Sequence, residues 1–239
     1  MKAIILAAGY ATRLYPITIE KPKTLLEIGK KRILDLIIKK IPADISDICI
    51  ITNAKFYSLF KDWYGENPNV NVKLINDGTT SEQNKLGAIR DMHMALLASK
   101  EDDTLVLASD NLFDFELNEA FDLFKKKNKD VIIVYDIQDK SKAARFGVLS
   151  VDTSGKVTKF EEKPKQPETS LVSTALYFFT KESLKLLPDY INETKDNDGP
   201  GYFVKWLINR KDVYASIANG RWYDIGTLET YEEAKRVFS

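Results

Sequence analysis

Apolar residues fall in short runs whose spacing alternates between two periods. Residues 2–7, KAIILA, are continuously apolar after one lysine, which predicts a strand buried on both faces. Residues 33–41, ILDLIIKKI, place apolar side chains at helical spacing. The alternation then repeats: DICIIT (47–52) reads as a strand, FYSLFKDWY (56–64) as a helix, VNVKLI (70–75) as a strand, KLGAIRDMHMALLAS (85–99) as a helix. TLVLAS (104–109) is a further strand ending at Asp110, followed by a helix over EAFDLFKKK (119–127) and a strand over DVIIVYD (130–136). Strand and helix in strict alternation predict an α/β fold with a parallel, doubly wound sheet. Ligands on such sheets bind at the carboxyl ends of strands, where the first loop and Asp110 both lie.

From about residue 141 the pattern changes. FGVLSVD (146–152), KVTKFEEK (156–163) and LVSTALYFF (171–179) read as strands joined by turns such as TSGK. Helices follow around ESLKLLPDY (182–190) and GYFVKWLIN (201–209), then a strand over DVYASIA (212–218), the stretch RWYDIGT and a closing helix from Glu229. No repeat or Gly/Ser-rich linker interrupts the chain. The expectation is one domain over 1–239, with a first half of about 1–140 and a second lobe of about 141–239 laid against it as mixed sheet.

The chain has 239 residues, 44% of them apolar, enough for a sizeable core. Lys+Arg and Asp+Glu balance at 35 each, which argues against a nucleic-acid binder with a basic face and makes any anion recognition local. The single cysteine, Cys49, excludes an internal disulfide and reads as a small buried strand residue. The single histidine, His93, reads as a helix packing or surface residue. No run approaches about 18 apolar residues, and the apolar start is too short for a secretory signal. A cytoplasmic protein with no membrane partner is expected.

The loop after the first strand concentrates the chemistry: Gly9, Thr12, Arg13, Pro16, Pro22 and Lys23. Glycine lets the backbone approach a ligand closely, and free N–H groups in such a turn form an anion-binding concavity. Arg13 offers a planar multi-donor cation and Lys23 a compact one. The two prolines restrict the loop and reduce the entropy lost on binding. A polyphosphate matches this charge. The stretch G-Y-A-T-R-L lacks two of the three glycines of a dinucleotide-binding fingerprint, and the G-K-S/T of a P-loop is absent.

LAAGYATRLYPITIEKPKTLLEIGKKRILD resembles the signature of the sugar-1-phosphate nucleotidylyltransferases, G-x-G-T-R-L-x-P-x-T-x-x-x-P-K. The resemblance runs on through LASDN, FGVL, EEKP and WYDIGT. It implies a Rossmann-like mixed sheet with a small sugar-binding lobe, and a reaction in which a sugar 1-phosphate attacks the α-phosphorus of a nucleoside triphosphate and pyrophosphate leaves. It assigns Arg13 to the β- and γ-phosphates, Lys23 to the α-phosphate, and Lys163 to the phosphate of the sugar. Asp110 and Asp224 would hold Mg²⁺, an ion that takes hard oxygen ligands and keeps several waters. Leu6, Ala8, Gly9 and Thr12 would meet the nucleotide, with Asn76, Thr80 and Asn84 as candidates from the loop after the third strand. Asn111, Gly147, Glu162 and Thr174 would line the sugar site. Tyr177 and Phe179, on the same strand as Thr174, read as core.

The chain also departs from the pattern. Ala11 replaces the second glycine, at a cost of roughly 1 kcal/mol if that position has positive φ. Ser109 and Ala175 stand where glycine is usual, INDGTTSEQNKLGAI is longer than the Q-P-x-P-x-G-L-A loop of thymidylyltransferases, and DNDGPGYFVKWL does not match their E-I-T-D stretch. The left-handed β-helix or long tail of some relatives is not expected after its last helix; a homo-oligomer is compatible with the sequence. The leading expectation is Mg²⁺-dependent transfer from dTTP or UTP to glucose 1-phosphate. A CTP-dependent enzyme acting on phosphocholine, a polyol phosphate or a sugar phosphate is the runner-up, because N…LGAI is similar to phosphocholine cytidylyltransferases, although the EEKP lysine disfavours a quaternary ammonium. A catalytically silent sugar-nucleotide sensor is the alternative outside enzymes.

Overall fold

A computed structural model of the chain describes residues 1–195 and 198–238. Its strands are β1 (Lys2–Leu6), β2 (Glu27–Ile28), β3 (Lys31–Arg32), β4 (Asp47–Thr52), β5 (Val72–Asn76), β6 (Thr104–Ala108), β7 (Asn111–Phe113), β8 (Asp130–Asp136), β9 (Gly147–Val151), β10 (Val157–Glu162), β11 (Leu171–Phe179), β12 (Val213–Ile217) and β13 (Trp222–Asp224). The helices are α1 (Ile33–Lys40), α2 (Tyr57–Glu66), α3 (Ala88–Leu97), α4 (Asn118–Lys127), α5 (Lys140–Ala143), α6 (Lys181–Leu184), α7 (Leu187–Glu193), α8 (Pro200–Leu207) and α9 (Leu228–Phe238).

One mixed sheet joins strands from both halves of the chain. Its order is β10-β9-β11-β6-β1-β4-β5, with β8 on β11 and β12 on β8. β1 lies between β4 and β6, parallel to both. The strands expected from the sequence all form, and the short β2, β3, β7 and β13 add to them, but β8 does not sit beside β6. β11 inserts between them, antiparallel to each, so β8 regains the direction of β6 only through a strand from the second half. A period-two pattern shows that a strand is buried, not which partner it takes; the pairing is a long-range choice.

The continuous apolar runs are buried from two sides. Ala3 and Ile5 of β1 face the core under α1, α2, α4 and α9, while Ile4 and Leu6 face the core under α3, α7 and α8. The same alternation sends Ile48 and Ile50 one way and Cys49 and Ile51 the other. Each fully buried Ile, Leu or Phe is worth about 1.5–3 kcal/mol, so these strands anchor both layers. Tyr177 and Phe179 are buried in the second layer, as expected.

Two helices differ from the sequence pattern. α3 begins at Ala88, three residues later than the apolar spacing suggests, because Gly87 at φ 87° and ψ 151° stands outside helical space. The segment 182–190 is two helices, since Pro188 supplies no backbone donor and instead opens α7. Among the described residues no helix is long and apolar enough to cross a membrane.

Candidate active site

A cleft of about 560 Å³ opens over the carboxyl ends of β1 and β6 and is walled on its far side by β9, β10 and β11. Register explains why the first loop and the Asp110 turn begin side by side: Leu6 of β1 pairs with Ala108 of β6, and the Ser109 N–H donates to the Leu6 carbonyl at 3.2 Å. The loop is then shaped locally. Ala11 adopts φ 49° and ψ 44°, left-handed space, and its carbonyl accepts from the buried Thr18 hydroxyl at 2.8 Å. A 3₁₀ turn over Thr12–Leu14 turns Arg13 to the cleft, and a second over Lys23–Leu25 does the same for Lys23 after Pro22. Asn53, fully buried, donates to the Ala8 carbonyl at 2.9 Å and fixes the loop to the end of β4.

The two aspartates meet through a small ribbon that the sequence pattern did not show. β7 pairs antiparallel with β13, with Asp224 opposite Asn111, and the Ile225 N–H donates to the Asp110 carbonyl at 2.8 Å. Lys23 Nζ sits 3.1 Å from Asp110 Oδ2, and Asn111 donates to Asp110 Oδ1 at 3.1 Å. A Cβ on Gly226 would stand 3.3 Å from Asp224 Oδ2 and 3.6 Å from an Arg13 guanidinium nitrogen. Arg13, Lys23, Asp110 and Asp224, up to 211 positions apart in the sequence, therefore share one corner of the cleft.

That corner holds carboxylates that repel one another. Burial, and then the Asp110 charge, push Asp224 up to about 6; Lys23, Arg13 and Arg145 pull it back only in part. Two carboxylates in this arrangement are relieved by a cation between them. The donor set is all hard oxygen, and among the described residues no cluster of three or more His, Cys, Asp or Glu side chains competes as a metal site. Asp110 and Asp224 fit a divalent ion that completes its shell with water and phosphate oxygens.

The opposite wall is built on close contacts. A Cβ on Gly147 would come within 2.6 Å of Phe160 Cζ and 3.0 Å of Glu162 Oε2, and one on Gly201 within 2.4 Å of the same oxygen. Glu162 is thus flanked by two glycines, and a Cβ on either would press on its carboxyl. Burial raises its carboxyl above the usual range, offset by Lys163 and Lys205. Lys163 follows at φ 48°, in left-handed backbone, with its N–H on the Phe146 carbonyl at 3.0 Å. β11 bulges between Ser173 and Leu176, and Ala175 at the bulge has φ 57°. The Thr174 hydroxyl is spent on the Ile133 carbonyl at 2.8 Å. Ala11 and Ala175 both occupy glycine-type backbone, so each carries about 1 kcal/mol of strain.

Of the residues singled out from sequence, Leu6, Ala8, Gly9, Arg13, Lys23, Asp110, Asn111, Gly147, Glu162, Lys163, Thr174 and Asp224 line this cleft. Thr12, Asn76, Thr80 and Asn84 do not. Asn76 accepts from the Gly78 N–H at 2.9 Å, and Asn84 accepts from the Thr80 N–H at 3.2 Å and the Ser81 N–H at 2.9 Å, so these side chains shape their own loop. In DNDGPGYFVKWL, residues 196 and 197 lie outside the described residues; Asp198, Gly199, Pro200 and Gly201 line the cleft. Sequence reading missed Arg145, Lys142, Trp222, Tyr135 and Asp91, which also line it. Trp222 donates to Asn111 Oδ1 at 2.8 Å and packs on Phe146 and Tyr135 at 5.1 and 5.8 Å between ring centres. The one available signal was position: Arg145 directly precedes FGV, and Trp222 opens the WYDIGT stretch.

The family model for nucleotidyl transferases matches residues 2–238. The glucose-1-phosphate adenylyltransferase of Clostridium novyi is 28% identical over 250 residues, covering 98% of this chain and 65% of that protein. The enzyme of the same name from Clostridium acetobutylicum is 34% identical over 133 residues, 54% of this chain and 35% of that one. The bifunctional protein GlmU of Methanocaldococcus jannaschii is 28% identical over 229 residues, 95% of this chain and 51% of that protein. The chain thus spans 35% to 65% of the length of these relatives. Among solved structures, UDP-glucose pyrophosphorylase complexed with UDP-glucose superposes with a TM-score of 0.83 at 20% identity, covering 99% of this chain and 97% of that one. A Bacillus anthracis protein assigned as a glucose-1-phosphate thymidylyltransferase, solved with sucrose, superposes with a TM-score of 0.82 at 24% identity, covering 99% and 94%. At these identities the structural likeness is one of fold.

Proposed function

The chain belongs to the nucleotidyl transferase family, with the sugar-1-phosphate nucleotidylyltransferases, and on that premise we propose that it transfers a nucleoside monophosphate from a triphosphate to a sugar 1-phosphate, releasing pyrophosphate. The observation that carries this reading is the convergence of Arg13, Lys23, Asp110 and Asp224 at one end of a cleft whose other wall carries Lys163 and Glu162. Two phosphorylated substrates must approach one another, so cations are needed on both sides, and catalysis rests on alignment and charge neutralisation.

In this reading Arg13 holds the β- and γ-phosphates and stabilises the departing pyrophosphate. Lys23, oriented by Asp110 at 3.1 Å, sits where negative charge grows at the α-phosphorus. Lys163 holds the phosphate of the acceptor and points its oxygen in line. Glu162 accepts from sugar hydroxyls, and Gly147 and Gly201 leave room for its carboxyl beside Phe160. Asp110 and Asp224 would hold Mg²⁺, which supplies positive charge between the reacting phosphates when bound. Asn111 acts on Asp110 and Trp222 more than on the sugar, since both ends of its amide are engaged there.

Glucose 1-phosphate is the acceptor to test first. The sequence reading favours dTTP or UTP as donor, and the adenylyltransferases among the relatives add ATP. The test is an array of five triphosphates against several sugar 1-phosphates and phosphocholine, with and without Mg²⁺, read as pyrophosphate release. One productive, Mg²⁺-dependent pair is expected. Silence across the whole array would replace the enzyme with a sugar-nucleotide sensor.

A further inference from the structure

Asp91 lies in the first turn of α3, 6% exposed, and lines the cleft beside Gly87 and Ala88. None of the roles above uses it. Among the described residues its Oδ1 has no hydrogen-bond partner and no cation pairs with it, and its side chain meets the carboxyl of Asp77, which is 8% exposed. Asp77 is supplied differently. It accepts from the Thr79 N–H at 2.7 Å and from the Thr79 hydroxyl at 2.8 Å. The Thr79 hydroxyl is 3.0 Å from the Tyr10 hydroxyl.

These contacts fix the direction of both hydroxyl protons. Thr79 Oγ1 donates to Asp77, so it must accept from Tyr10. Asp77 is the better supplied anion, and Asp91, which receives no donor, is the acid that donates to it. A charged Asp91 would leave two buried carboxylates facing one another with no donor to spare.

We propose that Asp91 is a positioning residue for the nucleotide: as the neutral acid it ties Asp77, Thr79 and Tyr10 into one chain of hydrogen bonds, and so holds the turn at Gly9 against the first turn of α3. The proposal rests on the triphosphate-binding role given to that turn above. Burial, and then the Asp77 charge, raise Asp91 to about 7, so the chain of bonds loosens within the neutral range. Asp77 and Tyr10 are the titratable groups within electrostatic reach of Asp91. Lys85 is engaged by Glu82 at 2.7 Å and Asp198 at 3.6 Å. β1, β4, α7 and α8 turn Ile4, Leu6, Cys49, Ile51, Leu187, Tyr190, Phe203 and Val204 toward the α3 layer.

The test is calorimetric binding of the preferred triphosphate with Mg²⁺, from about pH 6 to about pH 9, for wild type, Asp91→Asn and Asp91→Ala. Asparagine donates to Asp77 at every pH. Wild type should match Asp91→Asn at low pH and bind about tenfold more weakly at high pH, the loss expected for one buried hydrogen bond. Asp91→Ala should be about tenfold weaker throughout. Ionisation of the triphosphate itself is common to all three proteins and cancels in their ratio. Parallel profiles for wild type and Asp91→Asn, or wild-type affinity in Asp91→Ala, would overturn the proposal. Pyrophosphate release separates the two readings: binding with the expected pH split but no turnover with any acceptor removes the enzyme and keeps the positioning role, and a protein that binds no triphosphate removes both.

Discussion

Gly201→Ala is the sharpest single perturbation of the acceptor wall. The added Cβ would lie 2.4 Å from Glu162 Oε2 and 3.1 Å from Phe160 Cζ, whereas ordinary contact begins at 3.4 Å. Glu162 must therefore recede by about 1 Å. On the other side Gly147 carries no Cβ; one built there would stand 3.0 Å from the same oxygen, so this side gives the carboxyl no atom to lean on. Wherever the carboxyl goes, it leaves the place on the cleft wall from which it would accept from sugar hydroxyls. A displacement of about 1 Å at a positioning group costs up to about 10²-fold in rate, so kcat/KM for the acceptor should fall between about 10- and 100-fold. Triphosphate binding should be unchanged, since Arg13, Lys23 and Asp110 lie on the other wall. Stability offers a second check. Gly201 is helical, and propensity alone makes alanine better by about 1 kcal/mol. Overpacking costs about 1–3 kcal/mol, so the urea midpoint should drop or hold. A more stable variant with wild-type acceptor kinetics would refute the reasoning.

Three further outcomes are expected. Asp224→Asn should abolish pyrophosphate release yet stabilise the protein in chelator: the folded state holds the Asp224 proton up to about 6 against 3.8 for an ordinary aspartate, so metal-free stability falls as pH rises through that window, by up to about 3 kcal/mol, and asparagine removes the slope. Urea titrations at several pH values check it. Lys163→Ala should raise the acceptor KM at least about tenfold with triphosphate affinity intact by calorimetry, because one charge-assisted phosphate contact is lost. Ala11→Gly should raise the thermal midpoint at full activity, since the φ of 49° favours glycine by roughly 1 kcal/mol, less the chain entropy that glycine adds.

The strands and most helices were legible in the order of residues because their causes are local. A continuous apolar run such as Ile4–Leu6 is stable only between two layers, and the 3.6 spacing of Ile33, Leu34 and Ile37 suits one helix face. The glycine, arginine and lysine of the first loop were legible as an anion cradle for the same reason: donors and backbone freedom are properties of residue type. Partners were not. The insertion of β11 between β6 and β8, the β7–β13 ribbon that sets Asp224 opposite Asn111, and the Asp91–Asp77 contact all join segments far apart in the chain. Their energies come from register, burial and the mutual repulsion of carboxylates, which exist only once distant strands have paired. Composition named the charged groups of the cleft. Distance in the folded chain decided which of them repel and which face the open space between the two walls.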